Sequence, residues 1–393
     1  MLPADWLRYR SALSTEPLPA AIVDLEALAA NVDALVAAAH PKPLRIATKS
    51  IRSPELVRRI LERANGKARG LMTYSAAETA YLVDQGHDDL LLAYPTAHPH
   101  DVQLLARANR SASARVVVDS VEHLAPLEAA ARAEGTRVPV IVEMDVAYSP
   151  IGAVYLGVRR SPLHTAADVV ALVRRIGDFP HLSFAGLMGY EAQIAGVPDT
   201  PATSAMKALS RRDVATRRAE TARALEEAGL YGDHPVFNGG GTGSLASSAR
   251  EQDLTELTAG SGFLASHLFD GYRGLSLTPA AFFALQVVRA PAPGIVTCHG
   301  GGFVASGSAG KDRLPVPVLP VGLALLPLEG AGEVQTPLTV PADVTLRVGD
   351  PVFFRHAKAG ELAEHVNEYI LVEGDAVVGR APTYRGLGMC FLG

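Results

Sequence analysis

Along residues 21 to 39, "AIVDLEALAANVDALVAAA", a short apolar run gives way to apolar positions three and four apart, Leu25, Leu28, Val32 and Leu35. The run reads as a buried strand and the spacing as one face of a helix. The same order then repeats. "RIATK" is followed by a helix at 53 to 64, with Ser53 as its cap, Pro54 in its first turn and Glu55 near its positive end. "GLMTY" precedes "SAAETAYLVDQG", "DLLLAYP" a helical stretch around 99 to 108, and "ARVVVDS" the segment "VEHLAPLEAAARAEG". "VPVIVEMD" leads through a loop to "TAADVVALVRRIGDF", "LSFAGLMGY" leads to a long arginine-rich helix, and "HPVFNGGGTGS" and "LTELTAGS" complete the series. Roughly eight such units with short connections favour a closed (β/α)8 TIM-like barrel over an open sheet.

The pattern changes near residue 276. Beyond it come short β-branched or alternating runs broken by Gly and Pro, among them "ALQVVRA", "GIVTCHGGG", "DPVFFRHA" and "EYILVEGDAVVGRAPTY". These predict a mainly antiparallel β domain. The expected fold is therefore α/β: an N-terminal barrel over 20–275, and a C-terminal β domain over 276–393 grouped with the leader 1–19.

Composition narrows the function classes. A chain of 393 residues that is 48% hydrophobic can bury a large core, and a net charge of -5 with scattered arginines offers no basic field for nucleic acid. The two cysteines, Cys298 and Cys390, cannot form a disulfide scaffold, so a reducing compartment is expected. The start "MLPADWLRYRSA" has no signal-peptide pattern and no long uncharged apolar stretch follows, so the expectation is a cytoplasmic protein without membrane attachment.

In a barrel, side chains at the C-terminal strand ends face the mouth where substrates bind. Lys49, Tyr74, Tyr94, Asp119, Asp145 and Tyr190 all fall at such ends. Taken singly, Lys49 reads equally as a solvated strand end, Tyr74 and Tyr94 as caps on the barrel core, and Asp119 as a helix starter. "NGGGTGS" at 238–244 allows several backbone N–H groups to converge, with hydroxyls beside them, as a phosphate requires, and "AGSGF" at 259–263 is a second such turn. The first is also readable as an ordinary flexible turn. It is neither a Walker loop nor a dinucleotide fingerprint. A strand-end lysine, aromatic residues around the mouth and a late phosphate cradle together describe a pyridoxal 5'-phosphate site, with the lysine as Schiff-base former.

The order "PAAIVDLEALAANVDAL", "RIATKSIRS", "MTYSAAETAYLVDQG", "LSFAGLMGY", "NGGGTGS" and then a β domain resembles the fold-type III pyridoxal phosphate enzymes of the alanine racemase superfamily, and within it the D-threonine aldolase and D-serine dehydratase branch. The resemblance covers nearly the whole chain. It implies that Lys49 binds the cofactor and serves as base on one face, that Gly240, Gly241, Thr242, Gly260 and Ser261 hold the phosphate, and that Tyr190 lies near cofactor and substrate; Tyr190 is expected to be catalytic as well as cofactor-binding, and Tyr74 to be a cofactor contact. It also implies a homodimer in which the β domain of one subunit borders the active site of the other.

Two departures qualify that reading. The branch carries a histidine and, two residues on, a cysteine or aspartate that bind a divalent metal; here "RHAKAGELAEH" supplies His356 but Lys358. An ammonium is no ligand at neutral pH, so no metal residue is assigned and Lys358 is expected to supply the charge instead, with His356 as the catalytic group on the other face. Glu361, Glu364 and His365 are the alternative donors. Relatives also carry an arginine two residues before a Gly-Val pair, where this chain has Tyr155 and its arginines follow at 159 and 160. The function expected first is aldolase or deaminase action on a β-hydroxy D-amino acid. A racemase, a non-catalytic pyridoxal phosphate-binding protein and a sugar-phosphate barrel enzyme are the alternatives.

Overall fold

The computed structural model describes residues 3–151, 154–233 and 235–392; Met1, Leu2, Gly152, Ala153, His234 and Gly393 lie outside the described residues. Eight parallel strands close into a barrel: β2 (Leu44–Ala47), β3 (Ala68–Thr73), β4 (Asp89–Leu92), β5 (Ser113–Val118), β6 (Val138–Glu143), β7 (Leu182–Met188), β8 (Val236–Gly239) and β9 (Glu256–Ala259). β9 pairs with β2 through Leu44–Leu257 and Ile46–Ala259 to shut the ring. Leu91, Val117, Ile141 and Met188 pack inside it, while a larger apolar cluster fills the space between strands and helices.

The strand that opens the repeat, β1 (Ala20–Asp24), is not part of the barrel. It pairs antiparallel with β10 (Ala281–Ala292) and parallel with β16 (Glu368–Glu373), inside the second sheet. Its five residues are all buried, which a central strand covered on both faces requires and which alternation cannot assign to one sheet or the other. Asp24, at its end, caps the helix Leu25–Ala39 by accepting the Ala27 N–H at 2.9 Å.

The second sheet is completed by β11 (Ile295–His299), β12 (Val316–Leu319), β13 (Ala324–Leu325), β14 (Gln335–Thr339), β15 (Pro351–Arg355) and β17 (Ala376–Pro382), nearly all antiparallel. Phe283 of β10 stacks on Phe354 of β15, rings 5.0 Å apart. The N-terminal helix Pro3–Ala12 lays Tyr9 on Phe282 and Phe353 on the opposite face of this sheet. Residues of β10, β15 and β16 also belong to the large cluster that lines the barrel helices, so the two parts share one apolar core.

The helix after β2 runs Pro54–Ala64. Ser53 stands at its cap position but makes no cap hydrogen bond, its hydroxyl being buried without a protein partner. Pro54 at the first turn, and Glu55 bonding Arg58 and Arg59, start the helix instead. No described helix is long and apolar enough to cross a membrane.

Candidate active site

Immediately after β2 the chain makes one tight turn, Thr48–Ser50, anchored by Thr48 Oγ1 donating to the Met72 carbonyl at 3.0 Å. Thr48 and Ser50 are buried, which leaves Lys49 between them as the exposed side chain at the mouth. Its Nζ donates to Tyr94 Oη at 2.7 Å. The Arg160 guanidinium lies over the Tyr94 ring at 5.9 Å and over the Tyr190 ring at 5.5 Å, joining the ends of β4 and β7. Tyr190 in turn closes on the glycine turn: a Cβ on Gly241 would come 3.0 Å from Tyr190 Cε2 and 2.7 Å from Ala195 Cβ, closer than real contacts allow. Burial pushes the Tyr190 phenol up to about 12, so it stays protonated at neutral pH.

The two glycine turns meet each other and the lysine turn. Thr242 Oγ1 accepts the Gly262 N–H at 3.1 Å, and the Ser50 and Ser261 hydroxyls lie 3.1 Å apart. A Cβ on Gly260 would meet the Ala47 carbonyl at 2.8 Å, so a side chain there would push the turn off β2. Gly240 has φ +86°, a conformation glycine adopts freely. Among the described residues, the N–H groups of Thr242, Gly243 and Ser261 donate to no protein acceptor. Unpaired N–H groups in two touching turns, beside two serine hydroxyls, fit an oxyanion such as a phosphate. With Lys49 one turn away, the residues present fit pyridoxal 5'-phosphate.

Opposite Lys49 stands an acidic pair. β6 lies four strands from β2 around the ring, and the register Val118–Val142 brings Asp119 beside Glu143. Burial pushes the Glu143 carboxyl up to about 7; Arg160 draws it down, while Asp119 and Asp145 oppose its ionisation. Burial also raises Asp119. Asp145 serves the loop above: its carboxylate accepts from the Ala147 N–H at 2.9 Å and Tyr155 Oη at 3.1 Å and meets His164 Nδ1 at 2.8 Å. Tyr155, in the place of the relatives' arginine, thus fastens the loop that delivers Arg160.

Sequence reading named Lys49, Tyr190, Gly240, Gly241, Thr242, Gly260 and Ser261, and these lie in one connected group. Tyr74 meets the lysine turn through Arg52, whose Nε donates to the Lys49 carbonyl at 2.9 Å. It is buried beneath the Arg52 guanidinium, 5.3 Å from its ring, with its N–H bonded to Glu78. Tyr384, in the segment after β17, is buried and donates to Glu78 Oε1 at 2.8 Å. His356 is buried just after β15 with neither ring nitrogen partnered among the described residues, and burial, then Arg355 and His267, lower its pKa to about 3, so the ring is neutral. Lys358 donates to Ser306 Oγ at 3.0 Å and lies 3.7 Å from Glu361, whose carboxylate also accepts the Ser306 N–H at 2.7 Å. His365 stacks on Phe303, rings 4.4 Å apart. Arg160, Ser50, Arg52 and Glu143 escaped selection as site residues; of these only Glu143, an acid ending an otherwise apolar strand, carried a signal of its own.

The model of the alanine racemase N-terminal domain matches residues 23–230. A 3-hydroxy-D-aspartate aldolase of Paracoccus denitrificans (strain Pd 1222) is 28% identical over 248 residues, which are 62% of this chain and 59% of that protein. A D-threo-3-hydroxyaspartate dehydratase of Delftia sp. (strain HT23) is 26% identical over 249 residues, 63% of this chain and 61% of that protein. The chain thus spans about three fifths of the length of these curated relatives. The crystal structure of D-threonine aldolase from Filomicrobium marinum superimposes with a TM-score of 0.81 at 22% identity, covering 94% of this chain and 95% of that one, which is a likeness of fold.

Proposed function

We propose that this chain, which belongs to the alanine racemase N-terminal domain family, is a pyridoxal phosphate-dependent lyase that cleaves or dehydrates a β-hydroxy D-amino acid. The observation that carries the reading is the exposed Lys49 amine on a turn that touches two glycine turns with unpaired N–H groups among the described residues. Two curated relatives are named as an aldolase and a dehydratase of 3-hydroxyaspartates, and they support the substrate class.

The cofactor, when bound, supplies an electron sink for the bond broken at Cα. The residues around it divide the remaining work. Thr242, Gly243 and Ser261 would hold the phosphate through their N–H groups, with the Ser50 hydroxyl beside them. Lys49 would take the aldehyde carbon at Nζ and, when released from it, hold a proton on its face of the site, with Tyr94 Oη keeping Nζ aimed across the mouth. Arg160, exposed over two tyrosine rings, is the cation placed to orient a substrate carboxylate. Tyr190 covers the cradle and keeps water from it. On the second-domain side we assign His356, uncharged and unpartnered, to accept a proton from the β-hydroxyl, and Lys358 to supply positive charge.

The donor set at 356 and 358 does not fit a divalent cation, because the Lys358 ammonium is already committed to Ser306 and Glu361. We therefore propose activity without a metal, in a cytoplasmic homodimer in which each second domain borders the other subunit's mouth. Purified protein mixed with pyridoxal phosphate is expected to develop a visible absorbance band that borohydride bleaches, leaving the reduced cofactor on Lys49 by peptide mass. It is then expected to release glycine, or ammonia and a keto acid, from D-3-hydroxyaspartate or D-threonine with or without chelator. A protein that stays colourless overturns the cofactor assignment, and activity abolished by chelator overturns the metal-free one.

A further inference from the structure

Beneath the glycine turn lies a buried ion pair that the reaction does not use. Glu191 follows Tyr190 directly and is 1% exposed; Arg218, on the long helix Pro201–Glu227, is 0% exposed. Arg218 Nη2 bonds the Glu191 carboxylate, and the Gly189 carbonyl at 2.5 Å, while Nη1 bonds both oxygens of Glu251 at 2.8 Å. Burying a charge this deeply is costly unless every lone pair finds a donor. Glu191 finds four. Besides Arg218, it accepts the Gly240 N–H at 3.1 Å, the Ser244 hydroxyl at 2.7 Å and the Ser248 hydroxyl at 2.6 Å. The Ser244 oxygen in turn accepts the Gly241 N–H at 3.0 Å.

We propose that Glu191, paired with Arg218, is a positioning residue for anion binding: directly and through Ser244 it draws the N–H groups of Gly240 and Gly241 inward, so that those of Thr242 and Gly243 are left free for a phosphate ester. This inference rests on the cradle assigned above. The division of N–H groups follows the contacts, since those of Gly240 and Gly241 are spent on Glu191 and Ser244 while the next two have no protein acceptor. Sterics hold the same arrangement. A Cβ on Gly243 would fall 2.4 Å from Tyr272 Cε1 and 2.5 Å from the Ala195 carbonyl, so the turn has one seat only. Burial alone would raise the Glu191 carboxyl, but Arg218 and the two serine hydroxyls pull it below its ordinary range, which favours the ionised acceptor. A bare carboxylate below the turn would repel a bound anion. Arg218, whose single charge is shared with Glu251, offsets part of that penalty, which is a reason for burying the acid and the guanidinium together.

The test compares two probes that differ only in the phosphate, pyridoxal 5'-phosphate and pyridoxal, by absorbance titration of the full-length protein. The wild type is expected to bind the phosphate ester more tightly. In Glu191→Gln that preference is expected to shrink about tenfold, one to two hydrogen bonds to a charged group being at stake, while pyridoxal affinity changes less than about twofold. Ser248→Ala, which removes one donor without touching charge, is expected to reduce the preference about threefold and decides the matter if the glutamine variant does not fold. Parallel loss of both affinities, or an unchanged preference in the variants, overturns the inference and leaves the cradle standing. A wild type with no preference for the phosphate ester overturns the cradle, and the inference with it.

Discussion

Gly360 of the second domain lies against the carbonyl of Lys49 so closely that a Cβ at position 360 would sit 1.8 Å from that oxygen. The same carbonyl accepts Arg52 Nε at 2.9 Å, and Arg52 reaches on to Glu364. The lysine turn is thus clamped by the segment Ala359–Leu362 from one side and by its own following residue from the other.

Gly360→Ala is therefore expected to displace the lysine turn, because backbone, unlike a flexible side-chain end, cannot swing aside. Such overpacking costs about 1–3 kcal/mol. Thermal unfolding should record the loss. Borohydride trapping of cofactor on Lys49 should fall well beyond what the lowered stability explains, whereas Gly374→Ala, where a Cβ meets nothing within 4 Å but φ is +59°, should lower stability without touching trapping.

Tyr94 holds the Lys49 amine by a single 2.7 Å bond and shares its ring with Arg160. Tyr94→Phe keeps the ring and removes the hydroxyl. The outcome expected is a turnover loss of about tenfold or more with near-normal thermal stability, since a general base loses its aim but no buried group loses a partner. Steady-state kinetics beside a melting curve checks it; a stability loss as large as the activity loss would place Tyr94 in the scaffold.

Most of the barrel was legible because parallel strands alternate with helices at regular spacing, and Lys49 and "NGGGTGS" stood out because a charge at a strand end and three glycines in a row are poor choices for a core. β1 was not, since a strand buried on both faces carries no alternation and its partners lie some 260 and 348 residues downstream, as the register Ala21–Phe283 and Ala21–Tyr369 shows. Tyr74 and Tyr384 illustrate the same limit at side-chain scale. Tyr74 gives its backbone N–H and Tyr384 its hydroxyl to the buried Glu78, whose place in the middle of "SAAETAYL" gives no hint of either bond. Arg160 was noticed only as a displaced arginine; a loop fastened by Asp145, Tyr155 and His164 is what brings it back to the mouth.

Glu78 should mark the pH dependence of stability. Burial raises its carboxyl to about 7, with hydrogen bonds from Thr48, Tyr74 and Tyr384 and the charge of Arg52 only partly offsetting this. A carboxyl bound more tightly to its proton in the folded state gives stability that is complete below the unfolded-state value and is lost as pH rises to 7. The loss is on the order of 3 kcal/mol per such group. Glu143, also raised to about 7, adds a comparable share. Urea unfolding between pH 4.5 and 7.5 is expected to show stability falling with pH, and Glu78→Gln to remove about half of that slope.

Glu143 should show itself in substrate binding as well. It faces Arg160 from the barrel, and as pH rises through about 7 it becomes an anion that competes for the guanidinium assigned to the substrate carboxylate. The sign follows directly: affinity for an acidic substrate is greatest below that pH and weakens above it. Because Arg160 is exposed, solvent screens the effect to about 1 kcal/mol, several-fold in KM. Glu143→Gln, neutral at every pH, is expected to hold the low KM throughout and to leave kcat nearly unchanged. Arg160→Gln should raise KM at all pH values and abolish its pH dependence. A KM that stays flat through pH 7 in the wild type would separate Glu143 from Arg160 and leave the acid a silent member of the barrel core.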